Sequence, residues 1–204
     1  MEKIDYLLWT APPEGAVQAI LDAGVAALTV HVAADDIPNP PLLLGRGSDL
    51  AAVVCAWVDS IDDRGPIEDA LADADGYLVT ESVPQPRNAP SALTHFTWFP
   101  KPDRLTSEEF FHGWQVVHTP STWALHPTRC GYVRDSVARV LTPGSPRVDA
   151  IVFEDFPTVE DYTDPRKLFG SKEALDETSR HLSSFADLES ISSRPLYETV
   201  VRSP

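Results

Sequence analysis

The residues best suited to chemistry lie in the run LTSEEFFHGWQVVHTPSTWALHP, residues 105–127. Thr106 followed by Glu109 forms a capping box, which marks the start of a helix. An apolar stripe at helical spacing follows, made of Phe110, Trp114 and Val117. These signals predict a helix over residues 105–118 that buries one face and ends before Pro120.

His118 is the first candidate for catalysis, because it lies in the last turn of this predicted helix. The negative end of the helix dipole favours its imidazolium form by about 0.3–1 kcal/mol, whereas burial favours the neutral form. These opposing effects predict a pKa near neutrality, the condition for general acid–base work. The alternative is that His118 only caps the terminal carbonyls of the helix or hydrogen-bonds inside the core. His112 points to the other side of the helix, so the two histidines do not form a pair.

Several other side chains are candidates for the same site. His126, directly before Pro127, is the second catalytic candidate, and its alternative is an exposed loop histidine. His95 and His31 lie on predicted strands and are further candidates for substrate contact. Four aromatic side chains are candidates for the walls of a pocket, although aromatic residues at such positions also serve as core: Trp98, Trp114, Trp123 and Tyr132.

Two acidic residues lie close together on one predicted strand, at odd spacing. Asp149 and Glu154 therefore face opposite sides of the sheet, and only one of them can contact a pocket. The chain has no HExxH, no zinc-type His/Cys spacing, no G-x-G-x-x-G after a strand and no G-x-S-x-G. The sequence therefore offers no motif of these kinds for a metal or a nucleotide. The segment Gly45–Ser48 only superficially resembles a phosphate-binding loop, because no lysine follows it, and it is interpreted as a flexible connection.

The elements that must position these residues occur in the same order twice. Each part of the chain is predicted to run strand, helix, strand, strand, helix, strand, and a proline-rich linker at residues 84–90 separates the two. The first part has predicted strands at 3–10, 25–33, 50–58 and 76–83. The second has predicted strands at 93–99, 130–140, 148–156 and 195–201.

This order predicts an α+β protein made of two tandem ferredoxin-like βαββαβ units, residues 1–88 and 89–204. Helices cover one face of each four-stranded antiparallel sheet, so the other face needs a partner or a ligand. We expect the two sheets to pack against each other as a pseudo-dimer of the dimeric α/β-barrel type. A pocket would remain between the sheets where the packing is incomplete.

Composition limits the partners and the compartment. The formal net charge is -15, and no basic cluster is present to attract nucleic acid. No apolar run reaches membrane-spanning length, and the N-terminus lacks the apolar stretch of a signal peptide. The two cysteines, Cys55 and Cys130, are far apart and are interpreted as buried thiols of a reducing compartment. We therefore expect a cytoplasmic protein that binds neither nucleic acid nor membrane.

The second part of the chain resembles the EthD-domain family. The motif that carries the likeness is the run KPDRLTSEEFF, residues 101–111, followed by W-x-x-x-H-x-P at residues 114–120. The likeness as a whole covers roughly residues 93 to 203. The first part lacks W-x-x-x-H-x-P, which is typical of a degenerate copy. The resemblance implies a ferredoxin-like fold that pairs into an α/β barrel. It also implies a hydrophobic cleft in which a histidine, here His118, moves protons without metal or organic cofactor.

The resulting hypothesis is a cofactor-independent enzyme for a small hydrophobic substrate that is aromatic, polyketide-like or lactone-like. Proton transfer by His118 would carry out dehydration, isomerisation or decarboxylation. Two alternatives remain open: a non-catalytic ligand-binding or accessory protein of a degradation or biosynthetic pathway, and a cofactor-less monooxygenase. The chain is expected to be a monomeric pseudo-dimer or a homodimer.

Overall fold

The fold is built around eight strands that close into one antiparallel barrel. The computed structural model describes residues 1–38, 40 and 46–203, so Gly45 of the predicted Gly45–Ser48 connection lies outside the described residues. The barrel strands are β1 (Glu2–Leu8), β2 (Ala27–Ala33), β4 (Ala52–Val58), β5 (Asp75–Gln85), β6 (Leu93–Phe99), β7 (Gly131–Val140), β8 (Ala150–Phe156) and β9 (Ser192–Arg202). A two-residue strand, β3 (Arg46–Gly47), pairs in parallel with β9.

Neighbouring strands follow the order β2-β4-β1-β5-β7-β8-β6-β9, and β9 pairs back with β2. The strands of the first part of the chain, β1 to β5, are therefore joined to those of the second part, β6 to β9, along two seams. One seam is β5 with β7 and the other is β2 with β9, both antiparallel. The predicted α+β class and the barrel are confirmed. The two sheets meet edge to edge along these seams, and closure removes the free strand edges.

Alternation along the strands sorts side chains between the barrel interior and the surface under the helices. On β1, Ile4 and Tyr6 pack under the helices, whereas Lys3, Asp5 and Leu7 point inward. One part of the interior is an apolar cluster that includes Phe96, Trp98, Ile151, Phe153 and Leu196. Another part holds buried charged groups, so the predicted apolar interface between the sheets is only partly correct.

The helices cover the outer surface of the barrel. The first part of the chain has α1 (Ala16–Asp22), a 3₁₀ turn (Ile61–Arg64) and α2 (Gly65–Ala70). The second part has α3 (Ser107–Phe111), a π-helix (His112–His118), α4 (Thr119–Leu125), α5 (Val159–Thr163), α6 (Pro165–Leu168), α7 (Lys172–Phe185) and a 3₁₀ turn (Leu188–Ser190). No helix in the described part of the chain is both long and apolar enough to cross a membrane.

The predicted end of the helix at His118 is wrong. Backbone angles stay helical from α3 through the π-helix into α4, and the helical run ends at Leu125. Proline usually kinks or ends a helix, but Pro120 is the second residue of α4, just after the π-helix, a widened turn of the kind that accompanies such interruptions. The wider turn also rotates Val117 out of the predicted buried stripe, and 46% of its surface is exposed.

Candidate active site

A cavity of about 100 Å³ lies between the outer face of strands β6, β7 and β8 and the helices that cover them. The sheet contributes residues of β6, β7 and β8, and the π-helix and α7 lie opposite. Most of the wall is apolar, and its large members include Phe99, Trp114, Phe156, Phe169 and Phe185. The cavity is on the helix side of the sheet. The predicted location between the two sheets is therefore wrong for this site, because alternation separates the strand faces without indicating which face leaves space.

The helix that carries His118 is fixed at its start and along its length. The predicted capping box is present, since the Glu109 backbone N–H donates to Oγ1 of Thr106 and the Thr106 N–H donates to Oε2 of Glu109. In the π-helix, the carbonyl of Trp114 accepts from the Thr119 hydroxyl across 3.0 Å. Arg134 of β7 donates to that hydroxyl across 2.8 Å. The wide turn is thus fastened to the sheet.

His118 lines the cavity as a buried imidazole that lacks a hydrogen-bond partner at one nitrogen. Only 7% of the residue is exposed, and Nδ1 has no hydrogen-bond partner within the described residues. Its ring centroid lies 5.1 Å from that of Phe185. Burial lowers the pKa of His118 to about 3, despite the opposing charge of Glu154. The expected pKa near neutrality is therefore wrong, because His118 is inside the helical run and has no free helix end to stabilise its cation.

His126 and His95 line the same cavity with one nitrogen each engaged. Nδ1 of His126 lies 3.2 Å from the carbonyl oxygen of Leu168, so Nδ1 carries the proton and Nε2 holds a lone pair. Nδ1 of His95 lies 3.0 Å from the hydroxyl of Tyr162. Burial lowers the pKa of both rings, that of His95 to about 4. All three histidines of the cavity are neutral at physiological pH.

Glu154 is the carboxylate of the cavity, and Arg129 pairs with it from behind. Nη1 of Arg129 donates to Oε1 of Glu154 across 2.5 Å, and Nη2 donates to the hydroxyl of Thr122 across 3.0 Å. Burial raises the pKa of Glu154, but the charge and the hydrogen bond of Arg129 act against burial, and the pKa is lowered to about 2. The carboxylate of Glu154 therefore stays ionised, in an ion pair with Arg129.

Tyr132 completes the polar side of the cavity. Cζ of Arg129 lies 4.2 Å from the centre of its ring, a cation–π contact in a buried setting. Burial and the charge of Glu154 raise the pKa of the phenol. Tyr132 therefore stays protonated and can donate a hydrogen bond, while the imidazoles can accept one.

The structure brings together five of the eight site residues named from the sequence: His95, Trp114, His118, His126 and Tyr132. The other three lie elsewhere. Trp98 points into the barrel, where its ring packs against Phe96 at 5.1 Å. His31 also faces the barrel interior, and Trp123 is 55% exposed on α4.

Sequence reasoning missed Arg129, and it left the choice between Asp149 and Glu154 open. Glu154 is the one that reaches the cavity, whereas Asp149 accepts from the backbone N–H of Lys101. Arginine is usually exposed, so only a spatial argument identifies a buried one. Within residues 1–38, 40 and 46–203, no group of three or more His, Cys, Asp or Glu side chains is placed to hold a metal ion.

Comparison with known proteins identifies the fold. No family model matches the chain, and no curated protein matches it. A solved structure of an anthrone oxidase-like protein is similar with a TM-score of 0.61 and 12% identity, over 98% of this chain and 92% of that chain. A proposed monooxygenase from Fusobacterium nucleatum subsp. nucleatum is similar with a TM-score of 0.53 and 9% identity, over 98% and 91% of the two chains. At these identities the likeness shows a shared α/β-barrel fold alone.

Proposed function

We propose that the protein is an enzyme that removes a proton from a small, largely apolar molecule, with His118 as the general base. The observation that carries this proposal is the unpartnered Nδ1 of a buried, neutral imidazole on the wall of an apolar cavity. A buried polar atom without a partner is costly, and active sites are where such groups are retained. In the Nε2–H tautomer of the neutral ring, Nδ1 has the lone pair that a proton acceptor needs.

The protonation state sets the order of events. Because burial lowers the pKa of His118 to about 3, the ring enters the reaction without a proton. It is a weak base, so its first step needs a substrate whose anion the site stabilises. The proton moves from a C–H or O–H of the substrate to Nδ1, and the electron pair stays on the substrate. Glu154 favours the imidazolium that forms, and the phenol of Tyr132 can donate to the developing anion. Isomerisation through an enolate fits this order better than a dehydration that begins with an acid.

The cavity limits the size and charge of the substrate. Its volume of about 100 Å³ is smaller than the ~150 Å³ cavity that accepts benzene in another protein. A single ring or a small lactone is therefore the largest molecule expected without movement of the walls, and three fused rings would not fit. The carboxylate of Glu154 disfavours substrates that carry their own carboxylate near it.

Cofactor-independent oxygenation is the second candidate. The two similar solved structures carry the names of an anthrone oxidase-like protein and a monooxygenase, which is why this chemistry is considered for the present chain. A carbanion formed by His118 could react with dioxygen so that a CH₂ group becomes a carbonyl and one water is released. The atoms balance without another reductant, and the first step is the same proton removal.

We infer further that the chain is a tandem pair of ferredoxin-like units related to the EthD-domain family. The element order supports this inference, because β1, β2, β4 and β5 follow the same strand–helix pattern as β6, β7, β8 and β9. The sheet order supports it as well, since β2-β4-β1-β5 repeats as β7-β8-β6-β9. The W-x-x-x-H-x-P run belongs to the π-helix and α4, where it supplies Trp114 and His118 to the cavity.

Solvent-deuterium exchange tests the proposed base even while the product is unidentified. Single-ring phenols, enolisable lactones and cyclic ketones are incubated in D₂O, and exchange, turnover and oxygen uptake are followed by NMR and an oxygen electrode. We expect exchange or turnover that falls by about 10²–10⁴-fold in His118→Gln, with ligand affinity nearly unchanged. His112→Gln is the matched control, because His112 is exposed on the same π-helix.

Each outcome separates the hypotheses. Undiminished activity in His118→Gln rules out its role as base. Oxygen uptake that depends on His118 selects oxygenation over isomerisation. Ligand binding by the wild type with no exchange, turnover or oxygen uptake selects the alternative of an accessory binding protein.

A further inference from the structure

A second cavity, of about 90 Å³, lies inside the barrel and is separate from the proposed active site. Its walls come from both parts of the chain, with Lys3, His31 and Trp57 from the first and Phe153 and Glu198 from the second. The barrel interior of an eight-stranded fold is just large enough to hold one small ligand. None of these residues takes part in the proposed chemistry of His118.

The cations of this cavity are already occupied by carboxylates. Nζ of Lys3 donates to Oε2 of Glu81 and to Oδ2 of Asp135, each across 2.6 Å. Arg87 donates from Nε to Oδ2 of Asp155 across 2.9 Å and from Nη1 to Oε2 of Glu198 across 2.5 Å. An anionic ligand would have to compete with the carboxylates of these ion pairs, so the cavity is a poor anion site.

The unused hydrogen-bonding capacity of the cavity consists of acceptors. Nδ1 of His31, a residue only 4% exposed, has no partner within the part of the chain that the structure describes. Glu81 and Glu198 each use one carboxylate oxygen in the pairs above, and in the described residues the second oxygen of each makes no hydrogen bond. Burial lowers the pKa of His31 to about 4, so the ring is neutral, and in its Nε2–H tautomer the free Nδ1 can accept. A ligand that hydrogen-bonds to these atoms must therefore be a hydrogen-bond donor.

The charge of the lining also favours a cation. The lining carries three carboxylates, Glu81, Asp155 and Glu198, against two cations, and Asp5 and Asp135 lie beside Lys3. The rings of Trp57 and Phe153 already have an ammonium over them, with Nζ of Lys3 at 4.9 and 5.2 Å. These rings therefore already stabilise the cation of Lys3. The described residues contain no group of ligands placed for a metal ion, so the cation would be organic.

We propose that the barrel-interior cavity binds a small primary ammonium ion, held by the free acceptors of His31, Glu81 and Glu198. The volume limits the ligand to a few heavy atoms. For so few atoms, the affinity ceiling corresponds to a dissociation constant on the order of millimolar. This site is independent of the proposed base and of its substrate.

Methylammonium chloride is the probe, and the ring signals of His31 and the indole signal of Trp57 are followed by NMR. We expect saturable shifts with methylammonium that sodium chloride and sodium acetate of equal ionic strength do not produce. Glu198→Gln should weaken binding at least about tenfold, because it removes a charged acceptor. Glu81→Gln is the second variant, in case Glu198→Gln fails to fold.

Two control variants show whether the NMR shifts arise from binding in the barrel-interior cavity. Glu14→Gln alters an exposed carboxylate far from the cavity and should leave the affinity unchanged. Glu154→Gln alters the active-site cavity and should likewise leave the His31 and Trp57 shifts unchanged. The proposal is overturned if methylammonium and sodium act alike, if acetate binds in its place, or if both cavity variants bind as the wild type does.

Discussion

Nη1 of Arg129 donates to Oε1 of Glu154 across 2.5 Å, and the arginine side chain is completely buried while the glutamate is 17% exposed. The same guanidinium donates from Nε to the side-chain oxygen of Gln85 across 3.1 Å and lies against the ring of Tyr132. The buried guanidinium of Arg129 therefore keeps Glu154 ionised, packs against the ring of Tyr132 and hydrogen-bonds to the end of β5. This arrangement makes the active-site carboxylate dependent on a residue that does not itself line the cavity.

Replacing Arg129 by Met should lower the free energy of unfolding and change the charge of the cavity. Removing one partner of a buried ion pair costs about 3–5 kcal/mol, because the other charge remains without compensation. The pKa of Glu154 should rise, since the charge that lowers it is gone. Urea unfolding at pH 7 measures the loss. The double variant Arg129→Met/Glu154→Leu should recover most of it, and a single variant as stable as the wild type would contradict the assignment.

The proposed activity should show no inflection from His118 between pH 5 and 8. The active form is the neutral imidazole, and its pKa is lowered to about 3, so activity falls only as the pH drops towards that value. A pH profile of kcat/KM for the substrate found by the exchange assay gives this directly. An inflection near pH 6.5 that disappears in His118→Gln would mean that the ring is not desolvated as the cavity indicates.

Stability should fall on acidification because buried histidines must remain neutral in the folded state. The pKa is lowered to about 4 in His31 and about 3 in His118, whereas the unfolded chain takes up protons near pH 6.5. The stabilisation is therefore present above pH 6.5 and is lost as the pH falls towards these folded-state values. Each ring contributes up to about 1.4 kcal/mol per pH unit. Urea unfolding between pH 7.5 and 4.5 should show a shallower slope in His118→Gln, and an unchanged slope in His112→Gln.

Much of the fold could be predicted because strand signals in this chain are local. Alternating apolar residues predict a strand over 93–99, and β6 is Leu93–Phe99. The Thr106–Glu109 box gives the start of the helical run correctly. Its end could not be predicted, because Pro120 normally stops a helix and no sequence rule indicates that a π-helix will carry the chain past it.

The site was harder to predict because it depends on which face of a sheet is left unfilled. Alternation correctly places His95 and Phe99 on one face of their strand, and Asp149 and Glu154 on opposite faces of theirs. It does not distinguish His31 from His95 as a candidate for the pocket. In the structure they line two different cavities. Trp98 and Trp123 show the same limit, since one is core and the other is exposed. Only the packing of the helices decides between these outcomes.

Gly113→Ala should destabilise the protein, although alanine normally favours a helix by about 1 kcal/mol. A Cβ at Gly113 would lie 2.9 Å from Cβ of Phe185, an atom fixed to the backbone of α7. Relieving this overlap requires the π-helix and α7 to separate, at a cost of about 1–3 kcal/mol. Because Phe185 lines the cavity, ligand affinity should change too.

The matched control for Gly113 is Gly65, the first residue of α2. It has helical backbone angles, and a Cβ there meets nothing within 4 Å. Gly65→Ala should therefore stabilise the protein by about 0.4–1 kcal/mol. Thermal unfolding of both variants gives opposite signs if the contact between Gly113 and Phe185 is as close as described, and equal signs if it is not.

Lys3→Met should be among the most damaging substitutions outside the active-site cavity. The ammonium is 5% exposed and lies 2.6 Å from Oδ2 of Asp135, which is fully buried, as is Asp5. Burial and the charge of Asp5 raise the pKa of Asp135, whereas the ammonium of Lys3 lowers it. Lys3 therefore compensates the negative charge of the two buried acids. Its loss should cost about 3–5 kcal/mol at pH 7.

Acidification tests whether uncompensated charge causes this loss. Without Lys3 the pKa of Asp135 rises further in the folded state, so the variant binds protons on folding and recovers stability as the pH falls from 7 towards 5. The stability gap to the wild type should narrow over that range, and Lys3→Met/Asp135→Leu should be more stable than Lys3→Met alone. Lys172→Met, at an exposed position of α7, controls for the loss of a lysine. A gap that stays constant with pH would mean that lost packing, and not uncompensated charge, is the cause.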